Sequence, residues 1–353
     1  METIDLDFLA QQIAVLDNWL LDPKVFSGGV VAGSLDESHC LIYTYPEISG
    51  YYLSYLSYLK QNDRVTADLD THIKNLICYQ TQLWGNIHPP ATRHYSNKNQ
   101  TSLDWRNRGL FIFDIAMLLR GIADAAEYKN ESENLAQQIL TYLNLYFDAE
   151  KLAPVHWYTE YPSEARSRWS TSSGAYQLKV IAALKRFAQV WNNNSILERI
   201  APIQTALVSE FNRANFALHN THSTAYALEG ALLLGSQAGI DWTLGKKVIL
   251  NLVSAIDNAS VDQIEYRRSD AIAQLLRLSC CEPFANASLA DHLYDLLCST
   301  LNSDGSLEFT LAPCNVRYKN TWPVLFARQA LDFYQYLQRE GKAITIVEAR
   351  CLY

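Results

Sequence analysis

The sequence is short of glycine and proline: its 353 residues include only 14 of the first and 10 of the second. Together they fall below the roughly 12% of residues that they contribute on average. Proteins built of many short strands and tight turns need more of both, so the shortage favours helices. The chain also lacks a stretch of ~18 uninterrupted apolar residues, which excludes a predicted transmembrane helix. Its amino terminus, METIDLD, is acidic and has neither the basic region nor the apolar stretch of a secretory signal, so we expect a cytoplasmic protein.

Basic residues are neither abundant nor clustered. The net charge is −8 and no run of five basic residues occurs, which argues against a nucleic-acid-binding surface. The seven cysteines are scattered, odd in number and without metal-ligand spacing, so we predict free thiols in a reducing compartment. They are Cys40, Cys78, Cys280, Cys281, Cys298, Cys314 and Cys351. Glycine loops of the kinds that bind nucleotides are also missing, and neither a nucleotide nor any other cofactor is expected.

What the sequence does contain is two alternating kinds of helical segment. The first kind is amphipathic, with one apolar stripe, and therefore has one buried and one solvated face. These segments span residues 7–20, 67–84, 131–147, 195–211, 244–256 and 289–301. The second kind is apolar nearly all round, as in GLFIFDIAMLLRG and AYALEGALLLG, and is predicted to be buried on every side. These segments span residues 46–59, 109–121, 174–188, 225–235 and 271–278.

The alternation of outer and inner segments repeats about six times, which indicates a repeat architecture. It predicts an all-α fold, an (α/α)6 toroid of about twelve helices that occupies residues 1–353 as a single domain, with a small β-hairpin near 303–318. An open solenoid would expose a concave surface, and the inner segments are too apolar for that. Short connections make neighbouring helices antiparallel, so the inner helices all begin at one rim of the ring. We place these beginnings near Glu47, Trp105, Ser173, Ser223, Ser269 and Trp322.

The loops that lead into the inner helices hold most of the unusual polar and aromatic residues. Aromatic rings suit stacking on sugar rings, while carboxylates, histidines and arginines bond to hydroxyl and acidic groups. Six convergent helix amino termini add partial positive charge, which favours an anionic ligand such as a uronic acid or a phosphorylated sugar. The candidate catalytic residues are Glu47, Asp104, His222, Tyr226 and Asp270. The candidate substrate-binding residues are Tyr45, Trp105, Arg106, Glu160, Arg166, Trp169, Tyr176, His219, Arg267, Arg268 and Trp322.

Several polar side chains also have a purely structural interpretation. His219 and His222 are three residues apart, but no third ligand follows at a telling spacing, so no metal site is predicted. Glu47 follows a proline at a helix start, where it can complement the helix dipole or contact a ligand. Asp270 can pair with a neighbouring arginine. Glu229 lies inside the apolar run AYALEGALLLG, and we predict that it pairs with an arginine rather than acting as an acid of raised pKa.

Three short segments carry a family resemblance: YPEISGY at 45–51, HSTAYALEG at 222–230 and YRRSDAIAQ at 266–274. They resemble bacterial exopolysaccharide-cluster proteins of the VpsJ type. The resemblance runs in patches over residues 28–335 and implies a glycosidase-type (α/α)6 toroid, whereas residues 84–102 and 155–169 have no counterpart. That family has no well-defined reaction. The wider toroid superfamily includes glycoside hydrolases, polysaccharide lyases, sugar epimerases and terpene cyclases.

These observations predict a carbohydrate-active protein of polysaccharide or glycoconjugate metabolism, with acid–base chemistry on an acidic sugar. Two carboxylates beside a glycosidic bond would give a hydrolase. A tyrosine or histidine base, with an arginine that neutralises the acid group, would give a lyase or an epimerase. A terpene cyclase is not expected, because its Asp-x-Asp-Asp motif is absent. The alternatives are a non-catalytic carbohydrate-binding or scaffold toroid and a tailoring enzyme for a small non-sugar metabolite. The expected partner is a small molecule or an oligosaccharide, and neither nucleic acid nor membrane.

Overall fold

The fold is a two-layered ring of helices, seen in a computed structural model that describes residues 5–62, 68–86, 88–148, 151–166, 168–213, 220–260, 262–311 and 318–353. The outer helices are α1 (Leu6–Leu20), α3 (Leu69–Trp84), α6 (Lys129–Leu143), α8 (Asn194–Asn212), α10 (Trp242–Asn258) and α12 (Ala287–Cys298). The inner helices are α2 (Pro46–Gln61), α5 (Ile112–Asp124), α7 (Gln177–Trp191), α9 (Thr221–Leu234), α11 (Ser269–Ser279) and α13 (Thr321–Glu340). The short helix α4 (Lys98–Leu103) lies in the connection between α3 and α5.

The two kinds of helix differ in burial as their sequences predict. Every residue of the inner helix α11 is buried, and the same holds for most of α2, α5 and α9. The outer helix α6 buries one stripe only, formed by Ser132, Leu135, Ala136, Ile139 and Leu143. This spacing of three and four residues places the buried side chains on one face of a helix.

The inner helices form a closed ring. They contact one another in the order α2, α5, α7, α9, α11 and α13, and α13 returns to contact α2. Close approach of α2 and α5 depends on two glycines: a Cβ on Gly50 would lie 2.4 Å from the carbonyl oxygen of Met117, and one on Gly121 would lie 2.4 Å from the carbonyl oxygen of Gly50. Each outer helix packs beside an inner one. The predicted (α/α)6 toroid is thereby confirmed, and an open solenoid is excluded.

One predicted helix start is displaced. The inner helix α5 begins at Ile112 rather than near Trp105, because Trp105–Arg108 forms a single 3-10 turn. After it, strand β5 (Gly109–Phe111) pairs antiparallel with β8 (Val155–Trp157). The apolar run that predicted helix from residue 109 therefore satisfies its first backbone groups by pairing with a distant strand.

Small sheets lie at the rim where the inner helices begin. The largest joins β1 (Phe26–Ser27), β2 (Val30–Leu35), β3 (Leu41–Thr44), β4 (His94–Tyr95) and β9 (Lys319–Asn320), and a further pair joins β6 (Phe147–Asp148) to β7 (Lys151–Leu152). The sequence did not predict these strands. Within the hairpin predicted near 303–318, an antiparallel bridge joins Leu301 to Leu307, while residues 312–317 lie outside the described part of the chain.

In the part of the chain that the structure describes, no helix combines the length and apolar character needed to cross a lipid bilayer.

Candidate functional site

A cavity of 1080 Å³ opens at the rim where the inner helices begin. Eleven of the residues singled out from the sequence line it: Tyr45, Glu47, Trp105, Arg106, Arg166, Trp169, Tyr176, His222, Tyr226, Arg268 and Trp322. They come from the first two turns of α9, from the starts of α2 and α13, and from the segments before the other inner helices. The parallel arrangement of the inner helices therefore brings residues from distant parts of the sequence to one place.

His222 lies in the first turn of α9, whose amino terminus is capped by the side chain of Asn220. Its Nδ1 lies 2.8 Å from Oε1 of Gln274 and 3.5 Å from Oδ2 of Asp270. Burial disfavours the charged imidazolium and lowers the pKa of His222 to about 4, although the charge of Asp270 opposes the shift. The imidazole is therefore neutral at pH 7 and able to accept a proton.

Asp270 lies behind the lining and is fully buried. Its oxygens accept hydrogen bonds from Nε and Nη2 of Arg268, at 3.0 and 2.6 Å, and from Nε1 of Trp322 at 2.8 Å. Burial alone would raise the pKa of Asp270, but the charge of Arg268 and these hydrogen bonds hold it well below its usual range. The carboxylate is thus ionised and holds two lining side chains in position.

Glu47 and Asp114 lie on the cavity wall, and their carboxyl groups have raised pKa values, in contrast to Asp270. Burial raises the pKa of Glu47 to about 7, against hydrogen bonding from Tyr45 and the charge of Lys179. Burial and then the negative charge of Glu47 raise the pKa of Asp114 well above its usual range. Tyr45 links the two, since its hydroxyl donates to Oδ1 of Asp114 at 3.2 Å. At least one of these carboxyl groups holds a proton near neutral pH.

Asp114 was not among the residues that the sequence suggested, because it lies inside the apolar run GLFIFDIAMLLRG. A charged residue in such a run is itself a signal, since an unpaired buried carboxylate is costly. The second oxygen of Asp114, Oδ2, is buried and has no hydrogen-bond partner among the described residues.

Aromatic rings form one wall of the cavity. The ring centroid of Trp169 lies 4.9 Å from that of Tyr176, 5.9 Å from that of Tyr226 and 5.9 Å from that of His222. Tyr226 in turn lies 4.3 Å from His222, and its hydroxyl accepts from that of Tyr51 at 3.1 Å. A nest of rings beside ionisable groups can stack on a sugar while polar groups reach its substituents.

Arginines occupy two levels of the cavity. Deeper in, Arg93 stacks on the ring of Tyr43 at 4.6 Å, and Arg106 stacks on that of Trp105 at 4.6 Å. The sequence did not single out Arg93, because it lies in the segment 84–102, which has no counterpart in the family that the chain resembles. At the mouth, Arg166 and Arg168 are exposed and have no carboxylate partner among the described residues.

Several candidates lie away from the lining. Asp104 accepts hydrogen bonds from Tyr95 at 2.9 Å and from Nη1 of Arg106 at 3.2 Å, and it supports the arginine from behind. Burial would raise the pKa of Asp104, but the backbone hydrogen bond and the charge of Arg106 lower it. Glu160 is exposed and Arg267 half-buried, both outside the lining, while His219 lies outside the described residues. Among the described residues, no group of three or more His, Cys, Asp or Glu side chains could hold a metal ion.

Beneath the cavity lies a buried charge cluster centred on Glu229. Its carboxylate pairs with Lys179 at 2.6 Å and with Arg277, which confirms the predicted pairing with an arginine. Burial lowers the pKa of Lys179 to about 8. Burial opposes the ionisation of Glu229, but the charges of Arg277 and Lys179 hold its pKa below the usual range.

No protein-family model matches the sequence, and no curated protein matches it. Solved structures are similar in fold. D-mannose isomerase superposes with a TM-score of 0.67 at 10% identity, over 95% of this chain and 99% of that one. Cellobiose 2-epimerase from Spirochaeta thermophila DSM 6192 gives 0.64 at 12% identity, over 92% and 98%. An unsaturated glucuronyl hydrolase specific for heparin gives 0.60 at 10% identity, over 96% and 99%.

These similarities define the class of the fold. The chain shares its (α/α)6 toroid with these enzymes, over nearly its whole length and that of each neighbour. At identities of 10 to 12%, these similarities establish the fold and do not identify a reaction or a substrate.

Proposed function

We propose that this chain is a carbohydrate-active enzyme of polysaccharide or glycoconjugate metabolism that performs acid–base chemistry on an acidic sugar in the rim cavity. One observation carries the proposal: the same cavity is lined by a neutral histidine, His222, and by a carboxyl group, Glu47, whose pKa is raised to about 7. Groups whose environments push their pKa values apart in this way are suited to act as base and acid. We also propose kinship with the VpsJ-type proteins and a cytoplasmic location, on the sequence features described above.

Proton transfer at carbon is the reaction type that these groups favour. His222 removes the proton on the carbon next to the acid group of the sugar, and the electron pair moves into that acid group, where an arginine neutralises the developing charge. The protonated Glu47 then returns a proton. Its delivery to the opposite face of the same carbon completes an epimerisation. In a lyase reaction the electron pair instead forms a C=C bond as the neighbouring glycosidic C–O bond breaks, and Glu47 gives its proton to the leaving oxygen.

Hydrolysis is the second candidate, and the pair of Glu47 and Asp114 favours it, since glycosidases use two carboxyl groups. In a hydrolase these groups flank the scissile bond. Here Tyr45 links the two, and the charge of Glu47 raises the pKa of Asp114, so they share one side of the cavity. The other candidate acids, Asp104 and Asp270, are occupied by arginines. Proton transfer is therefore proposed first.

The sugar ligand is supported by the lining and by the structural neighbours. Trp169 and Tyr176 offer rings for stacking, and Arg166 and Arg168 at the mouth, which have no carboxylate partner in the described part of the chain, favour an anionic group. The neighbours named above are a sugar isomerase, a sugar epimerase and a glucuronyl hydrolase. Several distinct sugar reactions thus share this fold, which is why the site chemistry and not the fold selects among them.

The test begins with a thermal-shift screen of uronic-acid oligosaccharides and matched neutral ones. Ligands that bind are then incubated with the protein in D2O and in H2(18)O. Deuterium entering a carbon position supports an epimerase, an unsaturated product that absorbs in the ultraviolet supports a lyase, and 18O entering the product at the anomeric carbon supports a hydrolase. Binding by wild type without any turnover would favour a non-catalytic toroid, and binding only of non-sugar metabolites would contradict the sugar proposal.

Two variants assign the roles. Glu47→Gln and His222→Ala should each lower kcat by about 10²- to 10⁴-fold, as expected for loss of a general acid or base. The control is His292→Ala on the outer helix α12, where the histidine is exposed and pairs with Asp257 at 2.8 Å. The wild-type kcat/KM should fall above pH 7 as Glu47 loses its proton and below pH 4 as His222 gains one.

A further inference from the structure

The polar groups beneath the cavity form a continuous chain that ends on His222. Nδ1 of His222 lies 2.8 Å from Oε1 of Gln274, and Nε2 of Gln274 donates to Oε2 of Glu229 at 3.0 Å. Glu229 is paired in turn with Lys179 and Arg277. Gln274 is fully buried and does not line the cavity, so it acts on a ligand only through His222.

Glu229 determines which end of the Gln274 amide faces His222. An ionised carboxylate only accepts hydrogen bonds, and two cations keep Glu229 ionised. If the amide were turned over, its oxygen would face a carboxylate oxygen with no proton between them. A buried hydrogen bond left unmade in this way costs about 1–3 kcal/mol. The amide nitrogen therefore faces Glu229 and the amide oxygen faces His222.

The orientation of the amide fixes the tautomer of the histidine. An amide oxygen cannot donate, so the proton between Gln274 and His222 belongs to Nδ1. In a neutral imidazole the lone pair then lies on Nε2, the nitrogen that remains for a ligand in the cavity. We propose that Gln274, held by Glu229, is a positioning residue that keeps His222 in the Nδ1–H tautomer. Its catalytic meaning rests on the proposed function, whereas the tautomer is a property of the protein alone.

The other neighbours of His222 leave this role to Gln274. Oδ2 of Asp270 lies farther from Nδ1, at 3.5 Å, and already accepts from Arg268 and Trp322. The rings of Tyr226 and Trp169, at 4.3 and 5.9 Å, pack against the imidazole and restrict its rotation. The negative charge of Asp270 raises the pKa of His222, and this contribution remains when Gln274 is replaced.

The experiment is nitrogen NMR of the full chain with 15N-labelled histidine, which distinguishes the two tautomers directly. The chain has 8 histidines, and the His222 signals are identified by their loss in His222→Asn. Wild type at pH 7 should show protonated Nδ1 and unprotonated Nε2, a result that needs no further variant. Gln274→Met should give a mixture of tautomers, and should lower kcat by about 10- to 100-fold with little change in KM. A wild-type Nε2–H tautomer, or an unchanged tautomer in Gln274→Met, would overturn the proposal.

The matched control is Gln329→Met on α13. Gln329 is fully buried and accepts a hydrogen bond from Nη1 of Arg277 at 2.9 Å. Like Gln274 it belongs to the polar groups around Glu229 and Arg277, but Gln329 does not contact His222. It should destabilise the fold and leave the tautomer unchanged. If the tautomer shifts only in Gln274→Met while wild type turns over no sugar, the function fails and this inference stands. Turnover with an unchanged tautomer sinks this inference alone.

Discussion

The carboxylate of Asp270 accepts two hydrogen bonds from the guanidinium of Arg268, at 3.0 Å from Nε and 2.6 Å from Nη2. It also accepts from Trp322 and from the backbone nitrogen of Ala271. These four bonds use the acceptor capacity of a carboxylate. Asp270 therefore supports the cavity wall, and its charge is balanced by an arginine that reaches the ligand side.

Asp270→Asn should destabilise the protein, because it leaves the guanidinium of Arg268 beside a neutral amide. Removing one partner of a buried ion pair costs about 3–5 kcal/mol. We expect a decrease of that size in the free energy of unfolding, measured by urea denaturation. The control is Asp257→Asn. Asp257 pairs with His292, and both side chains are 43% exposed, so this variant should change the free energy of unfolding by less than about 1 kcal/mol. An Asp270→Asn protein of normal stability that has lost only turnover would show that Asp270 acts in catalysis instead.

The architecture could be predicted from sequence because burial leaves a local pattern. The stripe of α6 and the largely apolar run of α9 can each be recognised from their own residues alone. Ring closure followed from the repeat. The small sheets did not follow. The pairing of β5 with β8, for example, joins segments about forty-five residues apart, and backbone pairing at that separation has no sequence signature.

The sequence predicted that these candidate residues meet at one rim, but not which partners they contact there. Loops before parallel inner helices meet at one rim, so Trp169 and His222 could be expected together. The partners could not be expected, because they depend on side chains from other helices. Asp114 was hidden in an apolar run, and Gln274 looked like an ordinary polar residue in α11. The pKa values of Glu47 and Asp270 shift in opposite directions, because Asp270 is hydrogen-bonded to Arg268 and the burial of Glu47 is not offset in this way.

Glu47 should make the protein less stable as the pH rises from about 4.5 to about 7. Its pKa in the folded state is raised to about 7, so in this window the folded state binds more protons than the unfolded one. The stabilisation is fully present below the unfolded pKa and is lost as the pH passes through the folded one. A shift of this size corresponds to about 3 kcal/mol.

The measurement is the free energy of unfolding against pH for wild type and Glu47→Gln. His222 titrates in the opposite sense in the same window, because its folded pKa is lowered to about 4 and its contribution is lost as the pH falls. The difference between the two proteins therefore removes the contribution of His222 and reports on Glu47 together with Asp114, whose pKa depends on the charge of Glu47. The variant should gain on wild type between pH 5 and pH 8, and a constant difference would show that the carboxyl is not perturbed.

Gly50→Ala should destabilise the ring by forcing α2 away from α5. The added methyl group would lie 2.4 Å from the carbonyl oxygen of Met117, a backbone atom that cannot move independently. Overpacking of this kind costs about 1–3 kcal/mol or more, which differential scanning calorimetry detects as a lower melting temperature. Gly174→Ala is the control, since a Cβ there meets only ordinary contacts at 3.8 Å or more. Equal melting temperatures for the two variants would argue against close packing of α2 and α5.

The double replacement of Arg166 and Arg168 by glutamine should weaken the binding of an acidic saccharide while leaving a matched neutral one unaffected. Both arginines are exposed at the mouth and have no described carboxylate partner, so each is available to an anion. Exposed charge pairs contribute about 0.2–1 kcal/mol each, so loss of both should raise Kd about two- to thirtyfold. The salt dependence of binding, measured by calorimetry at two ionic strengths, should become less steep.

Arg339→Gln is the control for charge and removes one positive charge where the double variant removes two. Arg339 is exposed in the last turn of α13, at the opposite end of that helix from the rim. It changes the net charge without altering the mouth. An equal loss of affinity for each charge removed would mean that the ligand senses the total charge of the molecule. Loss confined to the double variant would place the acidic group at the mouth, and the uncharged part of the sugar would then lie deeper, against Trp169 and between Glu47 and His222.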